Sequence, residues 1–193
     1  MIPFERQLEP QSCGAASLVM VYRSFGVAAE QQVVLDETER SRQAFQLAVH
    51  ARKTGFQAVI VRFCEAWEGL CALQKHYSDC RTVLNHRLGN NLCYGHYSVV
   101  VDLKPEQNEI ILHDPLLGPN RLWPRETLES LWNEPGGEIQ GRTAILIRRE
   151  EATPSLTKCC EKCETTVEMA AFREIMPWCE RIFCPRCDQA ILA

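Results

Sequence analysis

No apolar run in this chain approaches the roughly 18 residues that a membrane-spanning helix requires. Its first residues, Met1-Ile-Pro-Phe-Glu-Arg-Gln7, lack the basic-then-apolar order of a secretory signal. Positive charge is short as well. The 21 Lys and Arg stand against 25 Asp and Glu, for a formal net charge of −4. Nucleic acid is therefore not expected as a partner, because such binding rests on clustered Lys and Arg. Neither an internal repeat nor a low-complexity tract occurs. These absences leave a folded protein, expected in the cytoplasm, with no membrane span. Its 193 residues hold one domain of about 150 residues and a small appendage.

What the chain has in quantity is cysteine, eleven in all. In a reducing compartment these read as metal ligands, a nucleophile or small buried residues rather than disulfides. Their distribution divides the chain. Cys13, Cys64, Cys71, Cys80 and Cys93 are scattered, whereas Cys159, Cys160, Cys163, Cys179, Cys184 and Cys187 crowd the end. Between the groups, Arg148-Arg-Glu-Glu-Ala-Thr-Pro154-Ser155 is polar, carries a proline and reads as a linker. Two domains are expected, 1–150 and 151–193.

In the first, Ser12 is placed to cap a helix from about Cys13 to Phe25, with Gly26 at its stop. A second helix is expected from Ser41 to Lys53, ending at Gly55, and a third over Trp67–Tyr77. Phe56–Phe63 (FQAVIVRF) is strand-like. Thr82–Leu88, His96–Leu103, Glu109–Asp114 and Thr143–Arg149 read as further strands, with one short helix at about Arg125–Trp132. Lys104-Pro-Glu-Gln-Asn108 turns the strand of His96 back into that of Asp114 as a hairpin. Helices first and sheet later predict an α+β fold, an antiparallel sheet with helices on one side.

A cysteine nucleophile needs an activated thiol, a base and donors for the oxyanion. Cys13 opens a helix, where the positive end of the macrodipole favours thiolate, and Gly14 lets a substrate backbone approach closely. Among five histidines, His50 and His76 lie on helices, and His86 and His113 within strands. His96 follows Gly95 at the start of its strand, at a sheet edge. Asp114, fixed by Pro115, ends the partner strand and can orient the imidazole.

The segment Gln7-Leu-Glu-Pro-Gln-Ser-Cys13-Gly-Ala-Ala-Ser resembles the Gln-x5-Cys-Gly motif of the bacteriocin-processing, double-glycine peptidases, a papain-like family. Gly95-His96-Tyr-Ser-Val-Val-Val and Ile110-Ile-Leu-His-Asp114-Pro115 are similar to its His and Asp-Pro motifs, in the same order. Arg40–Phe63 and Leu122–Ile147 resemble its second helix and strand and its closing helix and strand, so the likeness covers roughly residues 3–149. It implies a papain-like fold with Cys13 as nucleophile, His96 as base, Asp114 as orienting group and Gln7 as an oxyanion donor beside the Cys13 N–H. Two departures stand out. Ser12 occupies the position where the family usually has Asp, which implies weaker activation. No transporter domain follows in this chain, so coupling of cleavage to export is not expected.

Cys160-x2-Cys163 and Cys184-x2-Cys187, twenty residues apart, are two knuckles that complete a closed four-thiolate zinc site. A segment this short cannot bury a sufficient core alone, and metal binding supplies folding free energy. Residues 151–193 hold five Lys and Arg against seven Asp and Glu. An acidic ribbon favours contact with a protein partner, or clamping onto the first domain, and the sequence leaves both open. The function expected from these readings is a cysteine peptidase acting on a peptide or leader peptide. The alternatives are acyl transfer to an acceptor other than water and a non-catalytic peptide-binding adaptor or chaperone.

Overall fold

A computed structural model describes residues 1–38, 43–89, 95–133, 135, 139–149, 157–168, 170–184 and 186–192. In chain order the elements are α1 (Cys13–Ser24), α2 (Gln31–Glu37), α3 (Ala44–Lys53), β1 (Phe56–Phe63), α4 (Ala66–His76), β2 (Arg81–Arg87), β3 (Gly95–Lys104), β4 (Glu109–Asp114), β5 (Gly118–Pro124), α5 (Arg125–Trp132) and β6 (Thr143–Arg149). Beyond residue 156 follow β7 (Thr157–Cys159), β8 (Thr166–Glu168), a 3-10 segment over Ala170–Trp178 that kinks at Phe172, β9 (Cys179–Phe183) and β10 (Ala190–Leu192). The fold is α+β, as expected. Of the second predicted helix, Ser41 and Arg42 lie outside the described residues, as does most of the predicted linker.

Among the described residues eight strands form one sheet in the order β10-β9-β1-β6-β2-β3-β4-β5, every pair antiparallel. Helices cover both of its faces rather than one. In β1, Phe56, Ala58 and Ile60 join the cluster of α1, α2 and α3, while Val59, Val61 and Phe63 join that of α4, α5 and the 3-10 segment. In β6, Ile145 and Ile147 face the first cluster, and Ala144 and Leu146 the second. A strand covered on both sides must be apolar at both parities, which is why FQAVIVRF shows no alternation. The expectation of one covered face overlooked that signal.

Within the first 149 residues, α2 and β5 escaped the sequence reading. α2 is seven residues long with Val33 and Val34 inside it, too short and too β-branched to announce a helix. β5 (GPNRLWP) holds two prolines and reads as a turn, yet it is an edge strand, where a missing N–H costs no ladder bond. Gly14 also has a packing use that the sequence did not show. A Cβ there would lie 2.8 Å from Leu47 of α3 and 3.4 Å from Tyr97 of β3. The glycine brings the start of α1 down onto α3 and β3.

The tail does not stand apart from the body. β9 pairs with β1 along Ile60–Phe63, and Phe172, Ile175 and Ile182 are buried in the second cluster. The Glu174 N–H donates to the Tyr77 hydroxyl at 2.8 Å, and Arg52 donates to the Thr166 carbonyl at 3.1 Å. Each of those three buried side chains contributes about 1.5–3 kcal/mol. A chain ending at Arg149 is therefore expected to melt below the full chain and to bind an apolar dye. Equal melting and equal dye binding would show a body that stands without its tail.

Candidate active site

The first helix delivers Cys13 at its opening residue, 7% exposed, where the unpaired N–H groups of the first turn give a positive field. Ser12 is not the side-chain cap the sequence suggested. Its hydroxyl makes no cap bond and lies 2.9 Å from the Glu9 carbonyl and 3.0 Å from Gln31 Oε1. Its carbonyl still accepts the Ala16 N–H at 2.9 Å and starts the helix.

The hairpin of β3 and β4 brings in His96 and Asp114. Val99 pairs with His113 and Val100 with Leu112. Carried one residue further, that register sets Ser98 across from Asp114, so His96 lies diagonal to the carboxylate on the same face. The ring's Nε2–H donates to Asp114 Oδ1 at 2.9 Å, both residues being buried. The other ring nitrogen, Nδ1, is then the one left free of Asp114, and Cys13 lies close enough to this imidazole to raise its pKa. Asp114 Oδ1 also accepts the N–H groups of Leu116 at 2.8 Å and Leu117 at 2.9 Å.

Burial disfavours the imidazolium of His96, but the hydrogen bonds to Asp114 and Cys13 and the charges of both outweigh it. The pKa is raised to about 9. For Asp114, burial pushes the carboxyl up, and the His96 bond and charge with the two backbone donors more than reverse this, so it is lowered. An imidazolium beside a carboxylate is thus the resting state near neutrality.

Gln7 joins from the N-terminal segment. Its backbone N–H donates to the Pro115 carbonyl at 3.1 Å, tying it to the turn after Asp114. One N–H of its carboxamide goes to the Glu9 carbonyl at 3.0 Å, which leaves the second unassigned. Gln7 Oε1 is buried and has no partner among the described residues.

His86 is the site residue that sequence reasoning missed. It stands directly across from His96 in the β2–β3 register, with ring centroids 5.3 Å apart, and its other side meets Trp123 at 5.0 Å. Its Nδ1–H donates to the Arg87 carbonyl and its Nε2 accepts from the Ser98 hydroxyl. Burial first, then the charge of His96, lowers it to about 4, so it is a neutral wall behind the imidazolium. The signal available was the strand register, which sequence alone did not supply. His50 and His113 are occupied elsewhere, His50 by Tyr22 and Glu37 and His113 by the Ile2 carbonyl and the Asn120 N–H.

The model of the peptidase C39 family matches residues 1–135, more than half of the chain. The chain belongs to the peptidase C39 family. It is thereby a cysteine peptidase. No curated protein sequence matches it. Its fold is similar to the peptidase domain of Streptococcus ComA, a bi-functional ABC transporter involved in a quorum sensing pathway (19% identity, TM-score 0.60, 78% of this chain and 100% of that one). It is also similar to a double glycine motif protease from an AMS/PCAT transporter, in complex with the leader peptide (21%, 0.60, 78% and 93%). A third likeness is to the N-terminal peptidase C39 like domain of the toxin secretion ATP-binding protein from Vibrio parahaemolyticus (17%, 0.53, 75% and 100%). At these identities the likeness shows the fold. Among the described residues of this C39 peptidase no helix is long and apolar enough to cross a membrane.

The family match ends before the second cysteine group. There the sulfurs of Cys160, Cys163, Cys184 and Cys187 all lie within 4.8 Å of one another. Cys160 Sγ is 3.6 Å from Cys187 Sγ, and Cys163 Sγ is 3.5 Å from Cys184 Sγ. Disulfide sulfurs would sit at about 2.05 Å. Four thiolates at about 2.3 Å from one ion lie about 3.8 Å apart at tetrahedral corners, so the set fits such a metal. The two turns are built alike. Cys160 N–H bonds the Thr165 carbonyl and Glu164 N–H the Cys160 carbonyl, while Cys184 N–H bonds that of Gln189 and Asp188 N–H that of Cys184. Glu164 and Asp188, at equivalent positions, both have positive φ, 57° and 58°. Cys159 and Cys179 lie outside the four.

The raised His96 pKa carries a stability consequence. Its folded value of about 9 exceeds the unfolded value of about 6.5. The stabilisation is full below the unfolded value and is lost as pH rises through the folded one. Urea midpoints between pH 7 and 10 are expected to fall more for the wild type than for His96→Asn, which has no ring to titrate. Parallel curves would detach His96 from the alkaline loss.

Proposed function

We propose that this chain hydrolyses a peptide bond through Cys13, His96, Asp114 and Gln7, acting on a leader peptide of the double-glycine kind. The carrying observation is the buried His96–Asp114 pair at 2.9 Å, beside Cys13 at the start of α1, whose thiol acts on the pKa of His96. The substrate class is supported by the family match and by the leader peptide bound to one structural neighbour.

In this reading the Cys13 thiolate, paired with the His96 imidazolium, attacks the scissile carbonyl carbon. The carbonyl oxygen takes the negative charge and is met by the Cys13 N–H and the second N–H of the Gln7 carboxamide. His96 Nδ1–H then protonates the leaving amine as the C–N bond breaks, leaving a thioester on Cys13. Neutral His96 next takes a proton from water. The hydroxide adds to the thioester, the C–S bond breaks, and the acid and the Cys13–His96 pair are released. Asp114 holds the ring in place throughout.

For the tail, residues 151–193 act as a zinc ribbon in which Cys160, Cys163, Cys184 and Cys187 hold one structural Zn²⁺. Support comes from the sulfur spacing and the two matching turns. When bound, the ion closes the two turns against each other. With five basic and seven acidic side chains, the ribbon suits a protein partner better than a nucleic acid.

Three tests follow from this. Iodoacetamide at pH 6 is expected to alkylate Cys13 at least about tenfold faster in wild type than in His96→Ala, because only thiolate reacts. Turnover of a Gly-Gly leader peptide should vanish in Cys13→Ala and fall about 10²–10⁴-fold in His96→Ala. Equal alkylation rates with no turnover would leave Cys13 a structural residue. Protein purified without chelator should carry one zinc per chain, and Cys160→Ser should lose it and melt lower. Well under half an equivalent in the wild type would reject the ribbon.

A further inference from the structure

Gln31 lies outside every motif of the resemblance and outside α1, yet its side chain reaches the segment that carries Gln7. It opens α2 and is 3% exposed. Its carboxamide is engaged at both ends. Oε1 accepts the Leu8 N–H at 2.7 Å and faces the Ser12 hydroxyl at 3.0 Å. Nε2 donates to the Arg6 carbonyl at 2.9 Å, with Glu5 Oε1 at 3.5 Å. These partners fix its orientation. The Leu8 N–H can only donate and the Arg6 carbonyl can only accept, so a turned-over amide would lose both bonds.

Arg6 and Leu8 flank Gln7, so Gln31 grips the backbone on either side of it. The bonds then continue inward. Ser12 Oγ accepts the Glu9 N–H at 3.1 Å. The Glu9 carbonyl in turn accepts the Ser12 N–H at 3.1 Å and the Gln7 carboxamide at 3.0 Å. A continuous run of hydrogen bonds therefore leads from Gln31 through Leu8 and Ser12 to the side chain of Gln7 and to the residue before Cys13. Residues 1–12 form no helix or strand of their own. Their register relative to α1 is set by such bonds, because a buried amide left unpaired there is costly.

We propose that Gln31 is a positioning residue for the reaction, holding the Arg6–Ser12 segment and with it the Gln7 carboxamide in the place its oxyanion role requires. It rests on the oxyanion role proposed for Gln7 and acts only through it. Gln31 touches neither the substrate nor the reacting atoms.

The test is a double-mutant cycle between Gln31→Leu and Gln7→Ala. One readout is kcat for a synthetic leader peptide with a Gly-Gly junction. The other is protection of Cys13 from iodoacetamide by acetyl-glycyl-glycinal, whose hemithioacetal oxygen occupies the oxyanion position. Gln31→Leu keeps much of the volume and removes every polar contact. It is expected to lower kcat by about 10²-fold, the loss typical of one missing oxyanion donor, with KM near wild type. Aldehyde protection should weaken in parallel, while the iodoacetamide rate stays unchanged, because alkylation builds no oxyanion.

In the Gln7→Ala background the same change should have no further effect, since both remove one interaction. Wild-type kcat in Gln31→Leu, or an equal fold-loss in both backgrounds, overturns the proposal. Should the leucine chain not fold, Gln31→Glu keeps the acceptor for Leu8, loses the donor to Arg6 and enters the same cycle with a smaller loss. A wild type that neither cleaves the peptide nor is protected by the aldehyde overturns the peptidase reading and this one with it. A wild type that cleaves, beside a Gln31→Leu that cleaves equally, overturns Gln31 alone.

Discussion

A carboxylate with no exposed surface is the constraint around which this end of the molecule is arranged. Asp114 is 0% exposed, and burying its charge would cost several kcal/mol without compensation. One oxygen accepts three donors, the His96 ring and the N–H groups of Leu116 and Leu117. The turn after β4 therefore follows from the charge as much as from Pro115. The same charge raises the pKa of His96 and fixes which ring nitrogen donates to the carboxylate. Gln7 is drawn into the arrangement through the Pro115 carbonyl, one residue further along. The sheet contributes its own irregularity here, since the β4–β5 register shifts between Leu112 and Asp114. Bulges of this sort re-aim a side chain at the end of a strand.

Neutral polar groups complete the surroundings. His86, between His96 and Trp123, has both ring nitrogens satisfied and stays uncharged. A second cation there would oppose the imidazolium, and an apolar residue would leave the Ser98 hydroxyl without this acceptor. Burial thus acts in opposite directions on two adjacent histidines. Asp114 and Cys13 overrule it for His96, and His86 has no such partner.

At the far side of the sheet the cysteine cluster and the C39 fold are joined through backbone. β9 bonds to β1, β10 bonds to β9, and Gln140 donates to Asp188 of the second knuckle at 3.1 Å. β1 is an interior strand because the tail covers its outer edge. An uncovered edge of that apolar strand would be a template for association. The tail therefore shields the sheet of the peptidase fold as well as forming the metal-type cluster.

Local chemistry was legible in the sequence. Cys13 at a helix start, His96 and Asp114 on one hairpin and the paired Cys-x2-Cys knuckles all depend on spacing within one or two elements, and spacing is written in the chain. Most helices and strands followed from periodicity and from Gly and Pro punctuation. What the sequence could not hold were contacts between distant segments whose own residues give no sign of the pairing. His86 reads as an ordinary strand residue until β2 lies beside β3. Gln31 reads as a polar residue in an unremarked stretch until α2 meets residues 6–12. β9 reads as part of a separate ribbon until it bonds to β1. Even the two covered faces of the sheet, visible in FQAVIVRF, needed the packed helices to be read correctly. Hydrogen bonds and register between remote segments are decided by the burial of the whole chain, because only that burial makes an unpaired amide or an open strand edge costly.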